Sequence, residues 1–326
     1  MLGRTIPVVL VIAAACGGKY PAARTGGDKK PVSVENSALP YQILRGRGGA
    51  EVAEADLLRE LGEVQAICVG ESHDNPHDHW AQLHLLDLVS RRNRDAGVAT
   101  ALGMEMFQRP FQGVLDDYAA GKIDDQALLS RSDWANRWGF DFAFYRPMMR
   151  MAVDRGGTLL ALNLETELKK KISAAGAIDA LPEAERARVP ELVLDDAEHR
   201  AWFDALMADM GEAHGHPAPK TDHGDGKPPD PAETKTMADK IYRGQVLWDE
   251  TMADTAAGWL KGGERRQVII LAGKGHCHDS ATVRRIMRRG VPRAVSIQPI
   301  IDDGEGNVAA ALADPQNDYL FVMRAH

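Results

Sequence analysis

Short apolar runs alternate along this chain with longer segments in which apolar residues recur at helical spacing. The run 65–70 ends at a glycine, and Leu83, Leu86 and Val89 share one helical face of the segment 75–94 that follows it. Further strands are predicted at 98–106, 158–162, 267–272 and 293–298, with an edge strand at 319–323. Further helices are predicted at 110–121, 124–130, 142–153, 165–175, 195–210, 236–260 and 281–289.

Strands that alternate with helices predict an α/β fold, with a mostly parallel sheet and helices on both of its faces. Ligands of such folds bind beyond the carboxyl ends of the strands, so the functional site is expected at that edge. One domain is expected to span 39–326. Its 44% hydrophobic and 26% charged residues are typical of a globular domain. The net charge of −8, without a large basic patch, argues against nucleic acid as a partner.

The amino-terminal residues have the layout of a secretory signal. One basic residue, Arg4, precedes an apolar run that ends in small residues, and this run is too short to span a bilayer. We therefore predict a signal peptide over 1–15, a lipid on Cys16 and a flexible tether over 16–38. Gly17 after the lipidated cysteine favours the outer membrane, with the protein facing the periplasm.

One segment, 211–231, is rich in Gly, Pro, Asp and His and interrupts the helical pattern. We predict a disordered surface insertion that carries His214, His216 and His223. Two interpretations stay open. In the first the histidines are incidental, and in the second the segment is a mobile arm that captures metal or haem.

Two similar motifs follow predicted strands about 200 residues apart. The first, GESH, contains Glu71 and His73, and the second, GKGH, contains Lys274 and His276. Glu105 ends the strand 98–106 and adds a carboxylate to the same edge. Two imidazoles and a carboxylate are a common ligand set for a divalent metal, so His73, Glu105 and His276 are predicted to line one pocket.

Histidines close to the first motif are interpreted as part of an ordinary helix start. His77 and His79 are expected on an exposed first turn, which Asp74 or Asn75 could cap.

The remaining cysteines do not suggest a disulfide-rich scaffold. With Cys16 assigned to the lipid, Cys68 lies in a buried strand and Cys277 follows the second motif. Cys68 is predicted to be an inert thiol, and a disulfide between Cys68 and Cys277 stays open as the alternative, because each cysteine flanks one motif.

Five blocks of the sequence, in order, resemble the ChaN-like domain of the Tiki superfamily. They are VGESHDNPHDHWAQLHLLDLV, LGMEMFQRPFQGVLDDY, WANRWGFDFAFYRPMM, LLALNLE and YRGQVLWDETMA with IILAGKGH, and they extend from about 40 to about 300. The resemblance implies a lipoprotein for iron uptake that holds haem between two protomers, as a homodimer. It also implies a tyrosine on the iron, matched here by Tyr242, and a histidine and a lysine at the propionates, matched by His276 and Lys274.

The same superfamily includes metal-dependent proteases, and hydrolases of the erythromycin-esterase type are related to it. The alternative function is therefore a divalent-metal-dependent hydrolase or protease. His73, Glu105 and His276 would hold a metal that acidifies water, and Glu71 would act as the base. A third interpretation, an interaction module with structural histidines, also stays open. A haem spectrum would favour the first function, and metal-dependent cleavage the second.

Overall fold

The computed structural model describes residues 40–175, 177–213 and 231–324 of the chain. Its strands form a seven-stranded sheet in the order β1-β7-β6-β2-β5-β3-β4. β1 pairs antiparallel with β7, and the other neighbouring strands are parallel. The strands are β1 (Tyr41–Arg45), β2 (Ala66–Glu71), β3 (Ala99–Gln108), β4 (Thr158–Asn163), β5 (Arg266–Gly273), β6 (Ala294–Asp302) and β7 (Tyr319–Arg324).

Helices and short turns connect these strands. Single turns of other helical types lie at Arg109–Phe111, Phe142–Phe144, Ile178–Ala180 and Asp279–Val283. The α-helices are α1 (Glu54–Leu61), α2 (Pro76–Ala96), α3 (Gln112–Ala119), α4 (Asp125–Arg131), α5 (Trp134–Arg137), α6 (Arg146–Asp154), α7 (Thr166–Ala175), α8 (Glu183–Arg186), α9 (Ala197–Ala213), α10 (Pro231–Lys261), α11 (Arg284–Arg288) and α12 (Asn307–Ala313).

Alternate residues of the central strands pack on opposite faces of the sheet. Ile67 and Val69 of β2 belong to a core with the apolar residues of α1, α2, α3 and α6. Ala66 and Cys68 belong to a second core with small apolar residues of α10 and with α11. Because both faces are covered, the central strands have near-continuous apolar runs, as buried parallel strands should, and their polar residues lie mostly toward the strand ends. The predicted α/β fold with a mostly parallel sheet is therefore confirmed.

The sequence prediction was wrong at several element boundaries. β7 is not an edge strand, because β1 pairs with it, and β1 is too short to show a clear periodicity. The helix predicted over 142–153 is a single 3-10 turn followed by α6. Pro147 lies in the first turn of α6, where its missing N–H has no helical partner to lose. The helix predicted over 281–289 is likewise a π turn followed by the short α11.

Several predictions fall partly or wholly outside the described residues. Residues 1–39, with the predicted signal peptide, Cys16 and tether, belong to this group. α9 continues through Ala213 and α10 begins at Pro231, so both ends of the predicted insertion are helical. Its histidines, at 214, 216 and 223, lie outside the described residues. None of the described helices is long and apolar enough to cross a membrane.

Candidate functional site at the carboxyl edge of the sheet

The adjacent strands β2, β5 and β3 bring both motifs and Glu105 to one edge of the sheet. The Gly273 N–H donates to Glu105 Oε2 at 2.7 Å. A methyl group on Gly273 would lie 2.9 Å from His73 Cε1 and 3.6 Å from Glu105 Oε2. Only a residue without a side chain therefore lets His73 and Glu105 approach the same point. His276 Nε2 lies 3.6 Å from Glu105 Oε1, so the structure brings the three residues together.

A carboxylate orients the first imidazole. His73 Nδ1 lies 2.9 Å from Glu71 Oε1, which also accepts from the Tyr145 hydroxyl at 2.8 Å. Gln82 Nε2 donates to Glu71 Oε2 at 2.9 Å. Burial by itself would raise the pKa of Glu71, but the hydrogen bond with His73 and the nearby His79 outweigh it and lower that pKa. Glu71 is therefore a carboxylate that holds Nδ1 of His73, and the opposite side of the ring, with Nε2, lies close to Gly273.

Aromatic rings enclose the first imidazole. The rings of Trp138 and Phe140 lie 4.6 and 4.9 Å from that of His73, centroid to centroid. His79 was expected on an exposed helix turn, and this prediction was wrong. His79 is buried, stacked on Phe144 at 4.6 Å, and its Nε2 lies 3.1 Å from the carbonyl oxygen of His73. Because α2 packs this turn under the first motif, His79 supports the His73 loop.

The predicted cap of α2 lies at Asn75. Its side chain accepts a hydrogen bond from the His77 N–H at 3.0 Å, as an N-cap residue should. Asp78, in the first turn of α2, is buried and accepts from the Ser72 N–H at 2.8 Å. The first motif is therefore held from both ends of its loop.

A second carboxylate orients the second imidazole. His276 Nδ1 lies 2.6 Å from Asp249 Oδ1, and both residues are buried. Gln245 Nε2 donates to the Gly275 carbonyl at 2.9 Å and so holds the same loop. Burial by itself would raise the pKa of Asp249, but the charge of His276 and the hydrogen bonds of His199 and His276 hold it well below its usual range. Asp249 therefore stays ionised and keeps Nε2 of His276 directed at Glu105.

The contacts continue from Asp249 away from the strand edge. His199 Nε2, from α9, lies 3.2 Å from Asp249 Oδ2. His199 Nδ1 lies 3.1 Å from the Tyr242 hydroxyl and 3.3 Å from Arg285 Nη2. All four side chains are buried, and Tyr242 is only 3% exposed. Tyr242 thus lies inside a polar network behind His276, packed against Phe203.

Sequence reasoning missed Asp249, His199 and Gln245. Tyr242, Gln245 and Asp249 lie at positions i, i+3 and i+7 of α10, which is one face of a helix. This spacing was a usable signal once Tyr242 had been singled out. His199 carried no such signal, because only the packing of α9 on α10 brings it to Asp249.

The predicted propionate lysine, Lys274, is exposed at the mouth of the second loop. Aromatic residues from other parts of the chain lie close to the second motif in space. The Trp248 ring lies 5.8 Å from the His276 ring, and Lys169 Nζ lies 3.5 Å from the centre of the Trp248 ring. The Trp202 ring lies 3.5 Å from the position of a methyl group on Gly275. The second motif is therefore bordered by an exposed lysine, Lys274, by the partly buried Lys169 and Trp202, and by the buried Trp248.

Cys68 and Cys277 form a disulfide, with their Cα atoms 5.2 Å apart. The prediction of an inert thiol at Cys68 was wrong, and the alternative that the sequence left open is correct. β2 lies beside β5, so Cys68 reaches the loop that follows β5. The disulfide therefore ties the residue next to His276 to the central strand of the sheet.

A divalent metal is not supported at this edge. Within the described ranges, no group of three or more His, Cys, Asp and Glu side chains could hold a metal ion. Glu105 Oε2 accepts the Gly273 N–H, and its backbone carbonyl accepts from Asn163 Nδ2 at 3.0 Å. The residues are instead arranged as two imidazole–carboxylate pairs that face a third carboxylate.

Comparison with known families identifies the chain. Residues 57–293 match the family described as haem-binding uptake, Tiki superfamily, ChaN. The chain belongs to the ChaN family. This match includes both motifs, Glu105 and the network behind His276, and it confirms the resemblance drawn from the sequence. No curated protein sequence matches this ChaN-family chain.

One solved structure shares the fold, and two others are more distantly similar. A structure described as cofacial heme binding to ChaN of Campylobacter jejuni has a TM-score of 0.64 at 17% identity, covering 87% of this chain and 97% of that one. The type III effector HopBA1 has a TM-score of 0.45 at 10% identity, covering 89% of this chain and 100% of that one. A mutant of the erythromycin esterase EreC, in its open conformation, has a TM-score of 0.43 at 10% identity, covering 87% of this chain and 83% of that one. At these identities the likeness extends to the fold alone.

Proposed function

We propose that this ChaN-family protein binds haem at the carboxyl edge of its sheet and serves iron uptake. The observation that carries the proposal is the family match over 57–293, which spans the whole candidate site. The surroundings of that site suit the ligand. Haem has flat apolar faces and two propionate carboxylates, for which aromatic rings and cationic side chains are the matching groups.

Lys274 is the proposed propionate contact. It is exposed, it belongs to the second motif, and it lies two residues before His276. His276 is 2% exposed, whereas Lys274 of the same motif is exposed, so Lys274 is the residue of this pair that a propionate would meet at the surface. Trp248 and Lys169 extend this surface on the α7 side.

The proposal is tested by titrating the purified protein with ferric haem and following the Soret band. We expect a saturable shift, and about tenfold weaker binding in Lys274→Ala, because one charged hydrogen bond contributes ~1.5 kcal/mol. Lys122→Ala is the matched control, since Lys122 pairs with Asp117 on the exposed side of α3. A chain without a saturable Soret change would contradict haem binding, and equal affinities of the two variants would remove Lys274 from the site.

Tyr242 is the residue that the resemblance implies for the iron. Its hydroxyl is buried against His199, so ligation would require the phenol to leave that contact. Tyr242→Phe removes only the oxygen and separates the two roles. A changed charge-transfer spectrum of the ferric complex assigns Tyr242 to the iron, and an unchanged spectrum assigns it to the network behind His276.

A homodimer on haem binding is part of the proposal, because the resemblance implies haem held between two protomers. Light scattering of the protein before and after addition of one equivalent of haem tests it. A doubling of mass that Lys274→Ala reduces would support the dimer, and an unchanged mass at saturating haem would contradict it.

We also propose that the protein is a lipoprotein of the outer membrane, anchored through Cys16 and facing the periplasm. The sequence layout of 1–16 supports the anchor, and the disulfide between Cys68 and Cys277 supports an oxidising compartment. Cys16→Ser should release the protein from the membrane fraction or leave its signal peptide uncleaved. Unchanged partitioning of that variant would refute the anchor.

A hydrolase is the second candidate, and the two imidazole–carboxylate pairs favour it. Glu71 holds His73 and Asp249 holds His276, so Nε2 of His276 is directed at Glu105, and the His73 ring approaches Gly273, whose N–H Glu105 accepts. Such an arrangement is suited to proton transfer to and from water or a leaving group. The test is hydrolysis of an activated ester in the presence of a chelator.

We expect any such activity to resist the chelator and to fall at least a hundredfold in His73→Ala and His276→Ala, about the contribution of one general acid–base group. His77→Ala, at the start of α2, is the control. Absence of activity in the unmodified protein would reject this candidate. Loss of the unmodified protein's activity on addition of the chelator would instead favour a metal-dependent hydrolase.

A further inference from the structure

The side chains behind His276 form one continuous polar chain from α9 and α10 to the strand edge. In order they are Tyr242, His199, Asp249, His276 and Glu105, with successive contacts of 3.1, 3.2, 2.6 and 3.6 Å. All five are buried, and none of the first three was needed for the proposed haem contact at Lys274. Buried polar groups in such a series constrain one another. When one group donates a hydrogen, its neighbour must accept it, and this limits what that neighbour can do toward the next group.

Arg285 determines the direction of this chain. A guanidinium can only donate, and Arg285 Nη2 lies 3.3 Å from His199 Nδ1. In neutral His199 the proton therefore lies on Nε2, which points at Asp249 Oδ2. Asp249 then uses its other oxygen to accept from Nδ1 of His276 at 2.6 Å, a contact shorter than the 3.1 Å between the same nitrogen and Gln245 Nε2. In neutral His276 the proton therefore lies on Nδ1, and Nε2, which faces Glu105, is the nitrogen that carries the lone pair.

We propose that Asp249 is a positioning residue that fixes the Nδ1–H tautomer of His276, and that His199, oriented by Arg285, holds Asp249 for this task. The tautomer is a property of the chain itself and does not depend on haem. Any consequence for ligand binding rests on the proposed function, so the two are measured separately.

Asp249→Asn tests the direction of the chain. Its amide keeps the shape of the carboxylate but has one oxygen and one NH₂ group. His199 Nε2 and Asp249 Oδ2 lie 3.2 Å apart, and both atoms are buried without another hydrogen-bond partner in the described part of the chain. If Nε2 of His199 carries the proton, the amide oxygen faces His199 and the NH₂ group faces His276. Nδ1 of His276 then becomes an acceptor, and its proton moves to Nε2. The corresponding exchange of Asp for Asn inverts the histidine tautomer in serine proteases.

The double variant Asp249→Asn with His199→Phe distinguishes this chain from a merely structural role. Phenylalanine keeps a ring of similar size but donates no hydrogen. The amide is then free to turn its oxygen to His276, and the Nδ1–H tautomer should return. A purely structural role would predict further disturbance in the double variant, whereas the proposed chain predicts a recovery.

The experiment is ¹⁵N NMR of the haem-free protein with labelled histidine, the His276 signals being assigned by their loss in His276→Gln. The spectra are recorded at a pH high enough for the His276 ring to be neutral. We expect mostly Nδ1–H in the unmodified protein, mostly Nε2–H in Asp249→Asn, and mostly Nδ1–H again in the double variant. An unchanged tautomer in Asp249→Asn, or no recovery in the double variant, would overturn the proposal. Haem titration of the same variants then tests the proposed function alone, since unaltered haem affinity with an inverted tautomer would exclude a haem contact of His276 Nε2.

Discussion

The disulfide between Cys68 and Cys277 allows a quantitative prediction about stability. It joins residues separated by 209 positions, and both cysteines are buried. In the chain-entropy description, a cross-link that closes a loop of about this length stabilises the fold by about 5 kcal/mol. A difference of that size should lower the midpoint of thermal unfolding by about 10 °C or more in a domain of this size.

The perturbation is replacement of the two cysteines by alanine, singly and together. Either single variant opens the same cross-link, so each should lose nearly the whole stabilisation. The double variant should lose little more than a single one, apart from about 1 kcal/mol for the second truncated side chain. The three free energies of unfolding are therefore expected to be strongly non-additive.

Denaturant unfolding at one pH, with the unmodified protein measured with and without a thiol reductant, provides the free energies. The reduced protein is the control, since it should match the variants without any change of sequence. Two small losses that simply add in the double variant would refute the cross-link. Thiol titration in denaturant then gives an independent check, because the oxidised pair has no free thiol to react.

Two further predictions concern single residues in contact with the first motif. Gly273→Ala should destabilise the protein by about 1–3 kcal/mol, because the new methyl group meets the His73 ring at 2.9 Å. Gly258→Ala is the control: Gly258 is exposed in α10 with nothing within 4 Å, and this change should stabilise the protein by up to about 1 kcal/mol. Thermal unfolding measures both variants, and equal effects would contradict the contact with His73. Burial raises the pKa of Asp78 from 3.8 to about 6, so ionisation of Asp78 weakens the fold as pH rises from 4 to 6. The free energy of unfolding of Asp78→Asn should therefore exceed that of the unmodified protein by about 3 kcal/mol at pH 7.5 and be equal to it at pH 3.5. A pH-independent difference would show that Asp78 is not the group concerned.

The sequence alone was enough to predict the class of fold and the location of the site. Buried parallel strands produce continuous apolar runs, so β2 to β6 could be recognised without any knowledge of their neighbours. The motifs that contain His73 and His276 come at the ends of two of these strands in the sequence. Parallel strands end on the same side, and this local information therefore placed both histidines and Glu105 at one edge.

Only the tertiary structure decided which side chains orient those histidines. Tyr145, directly before α6, donates to the Glu71 that holds His73, and Asp249 of α10 holds His276. Both residues are distant in sequence from the motifs, and their roles depend on how α6 and α10 pack on the sheet. Packing also buried Tyr242 and brought Cys68 to Cys277, because the order of the strands, with β5 beside β2, decides which loop each residue reaches. A pattern along one segment records only whether a residue is buried. The partner that it meets there is a property of the assembled sheet and helices.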